Sequence, residues 1–327
     1  MPPWLSVVIP ARNSARTLGR CLEALAPQLD GGEVIVVDDA SDDDSSRVAA
    51  AGGARVIRAA ENVGAARARN LGAAEARGDC LLFLDADVYL LPGALAALRD
   101  AFASGADAVV GHYTDRSPAP GFFSQYQNYY TFFNHDRQQG DINWFWTAIG
   151  GVKRAVYESL GGFSEHFRGA SAEDIQFGYE LARAGRRTRL VKEVRGAHDH
   201  RHTFRSLVRN DLKKSAAWSN VFLRLNAGGK FKHGFTGAAN RLTLFAAYLV
   251  PLALVGAIFS PLVGGAVAAA AALVFLGVNA PFYVFVARHA GPAFLLGAVP
   301  FHYFTYLLVG VGVARGTLSY LLGAKVQ

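Results

Sequence analysis

The sequence predicts an α/β fold, a mostly parallel sheet with helices on both faces, followed by helices of membrane-crossing length. Three observations predict it. Short β-rich runs alternate with helical periodicity over residues 5–200. Those runs are apolar almost without interruption, as strands covered on both faces are. Three apolar stretches, 242–259, 262–286 and 293–314, then close the chain, each about the ~20 residues a helix needs to cross a hydrocarbon core.

Taken in order, a strand at 5–9 runs into the turn Pro10-Ala11-Arg12-Asn13, and helical spacing follows over 15–26. A second strand, 33–37, ends in Asp38-Asp39-Ala40-Ser41; a helix at 44–51, a strand at 55–57 and a helix at 65–77 come next. The strand 80–84 ends in Asp85-Ala86-Asp87, before a helix at 93–103 and a strand at 108–110. Ligands of such sheets collect beyond the carboxyl ends of the strands, so the turns at 10–13, 38–41 and 85–87 are expected to line one crevice. From 111 to about 143 the pattern loosens into an aromatic-rich stretch with Phe122, Phe123, Tyr126, Tyr129, Tyr130, Phe132 and Phe133, predicted to pack as a helix over the site. A strand at 147–153, a turn at Gly161-Gly162-Phe163, a helix at 172–184 begun by Glu173-Asp174 and a strand at 187–191 complete the domain. After a short loop comes Gly196-Ala197-His198-Asp199-His200-Arg201-His202.

Length and charge set the organisation. With 327 residues, 33 Lys+Arg against 26 Asp+Glu and 51% hydrophobic content, the chain accommodates one domain plus an appendage. From 241 to 314 there is almost no charge beyond Arg288, which predicts two or three membrane helices; buried helices of a soluble core would be amphipathic and shorter. Just before them, Arg201, Arg205, Arg209, Lys213, Lys214, Arg224, Lys230 and Lys232 alternate with Phe204, Leu207, Leu212, Trp218 and Phe222. This reads as helices lying in the headgroup plane and drawn to anionic lipid. A nucleic-acid surface is the competing reading of such a stretch, and the membrane hairpin that follows argues against it. The expected divisions are 1–200 for the catalytic domain, 201–240 for the basic interfacial segment and 241–327 for the transmembrane region.

Met1-Pro2-Pro3-Trp4 leads into the first strand without a basic region or long apolar core, so the first domain is expected in the cytoplasm, at the inner membrane, in a multi-pass chain. Arg288-His289 favours a cytoplasmic loop between the second and third apolar stretches. A third full crossing then leaves Arg315 and Lys325 outside, whereas a re-entrant segment bent near Pro300 avoids this; both arrangements stay open. Cys21 and Cys80 fit neither a disulfide framework nor a zinc pattern and are expected reduced and inert.

The chemistry centres on Asp85 and Asp87. In a strand, residues i and i+2 face the same side, so the two carboxylates can converge on one ion while Ala86 points away. Oxygen ligation suits Mg²⁺ or Mn²⁺ holding a diphosphate.

In order, Ser6-Val7-Val8-Ile9-Pro10-Ala11-Arg12-Asn13, Val34-Ile35-Val36-Val37-Asp38-Asp39-Ala40-Ser41-Asp42-Asp43, Asn62-Val63-Gly64-Ala65-Ala66-Arg67-Ala68-Arg69-Asn70, the Asp85/Asp87 pair, Gly150-Gly151 and Glu173-Asp174 resemble the family 2 glycosyltransferases of the GT-A fold. The likeness runs from about residue 4 to residue 200 and is to the membrane-anchored bacterial type with C-terminal transmembrane helices. It implies a nucleotide-diphosphate sugar donor, UDP- or GDP-linked, and a Mg²⁺ or Mn²⁺ cofactor. Donor contacts are implied for Pro10, Ala11, Arg12, Asp38, Asp39, Arg69 and Asp85. Asp87 is the implied direct metal ligand and Asp85 faces ribose or a metal-bound water; His198 best matches a histidine that completes the metal shell in several relatives, and His200 can replace it. Asp174 is the implied base that takes the acceptor's proton, with inversion at the anomeric carbon. Trp146, Glu173 and Arg201 are the expected acceptor-side contacts, with Trp144 beside them. Processive members carry Gln-x-x-Arg-Trp after the acid motif; here that region reads Arg201-His202-Thr203-Phe204-Arg205, which argues against polymer synthesis with translocation.

The expected activity is transfer of one sugar to a hydroxyl of a lipid or lipid-linked acceptor at the cytoplasmic face of the membrane. Two rivals stand beside it: transfer to polyprenyl phosphate, whose ionised nucleophile needs no base, and a nucleotide-sugar-binding scaffold without turnover.

Overall fold

A computed structural model of the chain describes residues 3–138, 140–165, 172–225 and 237–323. It divides into two compact units, one ending at Arg201 and one beginning at His202.

The first unit is built on apolar strands whose alternate residues serve two cores. β1 (Leu5–Ala11) sends Leu5, Val7 and Ile9 to one face and Val8 to the other. β4 (Cys80–Leu84) does the same with Leu82 and Leu84 against Leu81 and Phe83. Parallel pairing joins β1 to β2 (Glu33–Asp38) and β4, and β2 to β3 (Arg55–Arg58). α1 (Ala15–Leu25) covers the first face with Leu18, Cys21, Leu22 and Leu25, the three- and four-residue spacing of one helical stripe. α2 (Ser45–Ala51) lies beside α1, while α3 (Ala65–Ala74) packs on β1 and β2. Both sheet faces are therefore out of water.

Beyond β4 the sheet becomes mixed. β5 (Val88–Leu90) follows at once, then α4 (Ala94–Ala103), β6 (Ala108–Tyr113), α5 (Phe122–Asp136), β7 (Gly140–Ile142), β8 (Ile149–Lys153), α6 (Arg154–Ser159), α7 (Glu173–Arg183) and β9 (Thr188–His198). The strand order is β3-β2-β1-β4-β8-β6-β9-β5, with β7 also on β9. β4–β8, β6–β8, β5–β9 and β7–β9 are antiparallel, and only β6–β9 is parallel in this half. The parallel arrangement expected from the sequence thus holds for the half from β3 to β4, and the other half is mixed.

One boundary matters for function. The strand expected at 187–191 continues to His198, because β9 is paired along its length: to β6 on one edge, and to β7 and then β5 on the other. Gly196 permits this, since a Cβ there would stand 2.7 Å from Val88 Cγ1. The expected loop ahead of the histidines is sheet, and Val88 is in register with His198.

The second unit holds α8 (Phe204–Leu225), α9 (Ala238–Gly256), α10 (Pro261–Ala290) and α11 (Pro292–Leu321). The last three are long and apolar enough to cross a membrane, with mean hydropathy 1.5, 2.2 and 1.6. Their outward side chains are apolar too: Phe245, Leu252, Ile258, Phe259, Leu262 and Leu273 are all exposed. A surface of that kind suits hydrocarbon rather than water. Three polar side chains inside are paired with backbone carbonyls: Asn279 Nδ2 donates to Phe275 O at 2.8 Å, Tyr303 Oη to Ala247 O at 2.9 Å and Tyr248 Oη to Leu307 O at 2.6 Å. α11 is one continuous helix through Pro300, the position at which a re-entrant bend was one of the two arrangements left open.

α8, expected in the headgroup plane, has a second face held by protein. It packs on α11 through small and polar residues: Ser219 Oγ donates to Val313 O at 3.3 Å and Asn220 Nδ2 to Gly316 O at 3.4 Å. Ser215, Ala216 and Ala217 are buried, while Arg205, Arg209, Lys213 and Arg224 remain exposed. Lys230, Lys232 and Lys325 lie outside the described residues.

Gly178 in α7 backs onto the Trp144–Phe145 backbone, where a Cβ would come within 2.8 Å of Trp144 Cα. Gly178→Ala is expected to lower stability by about 1–3 kcal/mol, read as a fall in Tm of the chain in detergent; an unchanged Tm would contradict this packing.

Candidate active site

β4 ends at Leu84 and β5 starts at Val88, so Asp85, Ala86 and Asp87 occupy a tight turn instead of a strand. The Asp85 N–H donates to Ala148 O at 3.2 Å, and the Val88 N–H folds back on Asp85 O at 3.0 Å. The strand alternation that would aim both carboxylates at one ion is therefore lost. Asp85 Oδ1 accepts from Arg69 Nη2 at 2.9 Å, whereas Asp87 faces two imidazoles.

His200 Nδ1 lies 2.8 Å from Asp87 Oδ2, and His198 Nε2 lies 3.6 Å from the same oxygen. Each of these three residues offers a ligand atom, all within 4.8 Å of one another. One carboxylate and two imidazoles at that spacing fit a divalent cation with positions left over for substrate oxygens. Burial pushes the Asp87 carboxyl up, but hydrogen bonding to His198 and His200 and their charges outweigh it and hold it well below the usual carboxylate range. Asp85 is not among the three, and both His198 and His200 are.

The surrounding residues explain why the rings converge. Residues 198 and 200 flank Asp199, whose own side chain takes the opposite course and is buried. Its Oδ2 accepts from Arg16 Nη1 at 2.9 Å and from Tyr89 Oη at 2.7 Å, and its carbonyl accepts from Arg16 Nη2 at 2.7 Å. Its N–H donates to Asp87 O at 2.8 Å, which ties the histidine segment directly to the turn. Tyr113 stacks on His198 with ring centroids 4.5 Å apart at 14°, and Ser117 Oγ donates to His198 O at 2.5 Å. Asp199, Arg16, Tyr89 and Tyr113 were not singled out from the sequence. The His-Asp-His alternation was the available signal, since it places one acid behind two possible ligands.

Arg69 is 3% exposed and Glu173 2%. Arg69 Nη1 donates to Glu173 Oε1 at 3.0 Å, so one guanidinium spans from the Asp85 turn to the start of α7. Burial opposes the charge, but Asp85 and Glu173 outweigh it and keep the guanidinium protonated. Arg69, expected at the donor, and Glu173, expected at the acceptor, are thus both placed in the interior. The next residue, Asp174, is only half-buried at the first turn of α7, and its Oδ1 accepts from the Ile175 N–H at 2.8 Å.

Asp38 and Asp39 serve the loops around them. Asp38 accepts from the Ser41 N–H at 2.9 Å and from Ser46 Oγ. Burial raises its carboxyl, and those bonds with the charge of Arg58 outweigh this and bring it below the ordinary range. Asp39 accepts from the N–H groups of Val63 and Gly64 at 2.6 and 3.0 Å. Each carboxylate keeps lone pairs beyond these bonds, and the two fix the turns after β2 and before α3. Pro10 and Ala11 end β1, Arg12 is exposed beyond them, and the Asn13 N–H donates to Ser41 Oγ at 3.0 Å, which joins the first two loops.

Of the tryptophans, Trp144 is buried and donates Nε1–H to Gln138 Oε1 at 2.8 Å, a packing role. Trp146 is partly exposed and meets Tyr113 edge-on at 4.4 Å, one ring away from His198. Arg201 is exposed at the end of the first unit.

Residues 6–161 match the family model for glycosyl transferase family 2. Validoxylamine A glucosyltransferase of Streptomyces hygroscopicus subsp. jinggangensis (strain 5008) is 32% identical over 240 residues, which is 61% of this chain and 57% of that protein. Its namesake from Streptomyces hygroscopicus subsp. limoneus is 31% identical over 249 residues, covering 61% of this chain and 53% of that one. The chain thus spans little more than half the length of these relatives. Among solved structures, the mannosyltransferase PcManGT from Pyrobaculum calidifontis in complex with GDP-Man and Mn²⁺ superposes with TM-score 0.57 at 18% identity, covering 99% of this chain and 89% of that one. S. aureus TarS 1–349 in complex with UDP-GlcNAc gives TM-score 0.54 at 16% identity over 99% of this chain and 93% of that one. Glucosyl-3-phosphoglycerate synthase from Mycobacterium tuberculosis, in complex with Mn²⁺, UDP and glucosyl-3-phosphoglycerate, gives 0.51 at 20% over 70% and 82%.

The fold is GT-A, the nucleotide-diphospho-sugar transferase architecture. The likeness to glycosyl transferase family 2 lies in residues 6–161, and three membrane-length helices follow it.

Because Arg69 and Glu173 are buried together, removing one leaves the other uncompensated. Glu173→Gln is expected to lower stability by about 3–5 kcal/mol. Adding Arg69→Met should recover part of that loss in a double-mutant cycle, measured by thermal unfolding. Additive losses would contradict a direct bridge.

Proposed function

We propose that the chain is an inverting, metal-dependent glycosyltransferase moving one sugar from a nucleotide-diphosphate donor to a hydroxyl of a lipid or lipid-linked acceptor. The observation that carries it is the Arg69 bridge, which straps the start of α7, and with it Asp174, to the Asp85-Ala86-Asp87 turn. A base and a cation-holding carboxylate are thereby kept on one frame.

The loops at 10–13 and 38–46 are positioned to receive the nucleobase and ribose, with backbone along the base at Pro10–Arg12. Asp39 and Asp38 hold that pocket's walls. Asp87, with His198 or His200, would hold the cation; once bound, it supplies Lewis-acid stabilisation of the departing diphosphate. The acceptor oxygen bonds to the anomeric carbon as the bond to the diphosphate oxygen breaks, and the hydroxyl proton passes to the Asp174 carboxylate. Direct displacement inverts the configuration. UDP or GDP leaves, and the solved neighbours bound to GDP-Man, UDP-GlcNAc or UDP, some with Mn²⁺, support that donor class.

The three apolar helices support a multi-pass location in the inner membrane, with the first unit and the Arg288-His289 end of α10 on the cytoplasmic side. That anchoring favours a lipid or lipid-linked acceptor, which a tethered enzyme meets by two-dimensional search. The curated relatives are named for glucosyl transfer to validoxylamine A, so a water-soluble hydroxyl compound is the second reading.

Purified chain incubated with labelled UDP- and GDP-sugars and either native lipid extract or aqueous extract should give one glycosylated product, lost with chelator. Asp174→Asn should lower turnover about 10²-fold or more while donor binding persists. Full activity in that variant would point to an ionised phosphate as nucleophile, and donor binding without product from any extract to a scaffold.

A further inference from the structure

His200 lies at the edge of the first unit, half-exposed, two residues beyond the histidine that the resemblance singles out. Its ring is 5.5 Å from that of His198 and nearly parallel to it, at 19°. Both aim a nitrogen at the same oxygen, Asp87 Oδ2: His200 through Nδ1 and His198 through Nε2. We propose that His200 is a second nitrogen ligand of the cation, and that the pair of imidazoles makes the site select Mn²⁺ over Mg²⁺. This rests on the reading that Asp87 holds the donor's cation.

The selectivity follows from donor chemistry. Mg²⁺ is small and hard, keeps its waters and is ordinarily held by one or two carboxylates plus phosphate oxygens. Each imidazole that replaces an oxygen shifts the preference toward first-row transition ions, which accept nitrogen more readily. A site with one carboxylate and one imidazole is ambiguous, but one carboxylate with two is not. The sequence offers Asp85 as the second oxygen ligand that would have favoured Mg²⁺, and the structure commits Asp85 to Arg69 instead.

The arrangement is also held in advance. Asp199 is pinned by Arg16 and Tyr89, and its N–H is bonded to Asp87 O, so the backbone between the two histidines cannot turn without breaking three side-chain bonds and one main-chain bond. His198 is fixed further by the Tyr113 ring. A ligand pair fixed before the ion arrives loses little freedom on binding it. The two rings use different nitrogens, so binding requires the Nε2–H tautomer of His200 and the Nδ1–H tautomer of His198.

The test is cation binding by the full chain in detergent, without donor or acceptor, so that it does not depend on knowing the substrate. Calorimetric titration should show Mn²⁺ binding tighter than Mg²⁺. His200→Asn should weaken Mn²⁺ by about tenfold to a hundredfold and shift Mg²⁺ by less than about threefold. Electron spin-echo modulation of bound Mn²⁺ should register two imidazole nitrogens in the wild type and one in the variant. Equal Mn²⁺ affinity and an unchanged nitrogen signal in His200→Asn, with Asp87→Asn abolishing binding, would overturn the role of His200 and leave the cation site standing. Unchanged Mn²⁺ binding in Asp87→Asn would instead remove the cation site itself. His200 is at the surface, and matching Tm values without metal would verify that its variant is folded.

Discussion

The pairing of β5 with β9 is the constraint on which the site depends. Asp87 stands immediately before β5 and His198 ends β9, and the register Val88↔His198 brings them together before any side chain is considered. A slip of one residue would turn every side chain of β9 to the opposite face, leaving Asp199 where the imidazoles now point. The pairing is secured by β6 along the other edge of β9, by Gly196 where Val88 and Ile149 press in, and by Asp199 anchored to α1 and β5. Sheet geometry thereby becomes ligand geometry.

A second frame runs through Arg69. A guanidinium shielded from water between Asp85 and Glu173 is weak evidence for stability, since desolvation consumes most of its Coulomb gain. Its value lies in placement, because Asp85, Arg69 and Glu173 belong to a turn, a helix and another helix start that share no local sequence. With the positions of Asp87 and Asp174 each one or two residues from a bridge partner, the strap restricts the distance between those two carboxylates. The glycine at 178 serves the same end by letting α7 lie flat on the 144–145 backbone.

Much of this was legible in the sequence where one physical signal dominates. The apolar runs at 5–9, 33–37 and 80–84 became β1, β2 and β4 within one or two residues, because strands covered on both faces leave a continuous hydrophobic record. The membrane-length helices were legible for the same reason. The turn at 85–87 was not, since period-two reasoning assumes a strand that in fact stops at Leu84. β9 was foreseen only in its first half; its later residues, Glu193 to Gly196, lack an apolar pattern and are held by partners distant in sequence. The basic face of α8 was legible in the sequence, whereas its Ser and Ala face, small enough to pack on α11, was not. The roles of Arg69 and Glu173 could not be read from spacing, because burial of a charge depends on a partner that only the fold supplies.

The central claim, that Asp87 holds a cation against the donor's diphosphate, is tested most directly by a structure of the chain soaked in Mn²⁺ and a UDP- or GDP-sugar, with anomalous scattering to locate the ion. The account predicts a manganese peak at coordination distance from the Asp87 carboxylate, touching the diphosphate as well. A bound donor with no ion, and the Asp87 side chain turned away from it, would contradict the account.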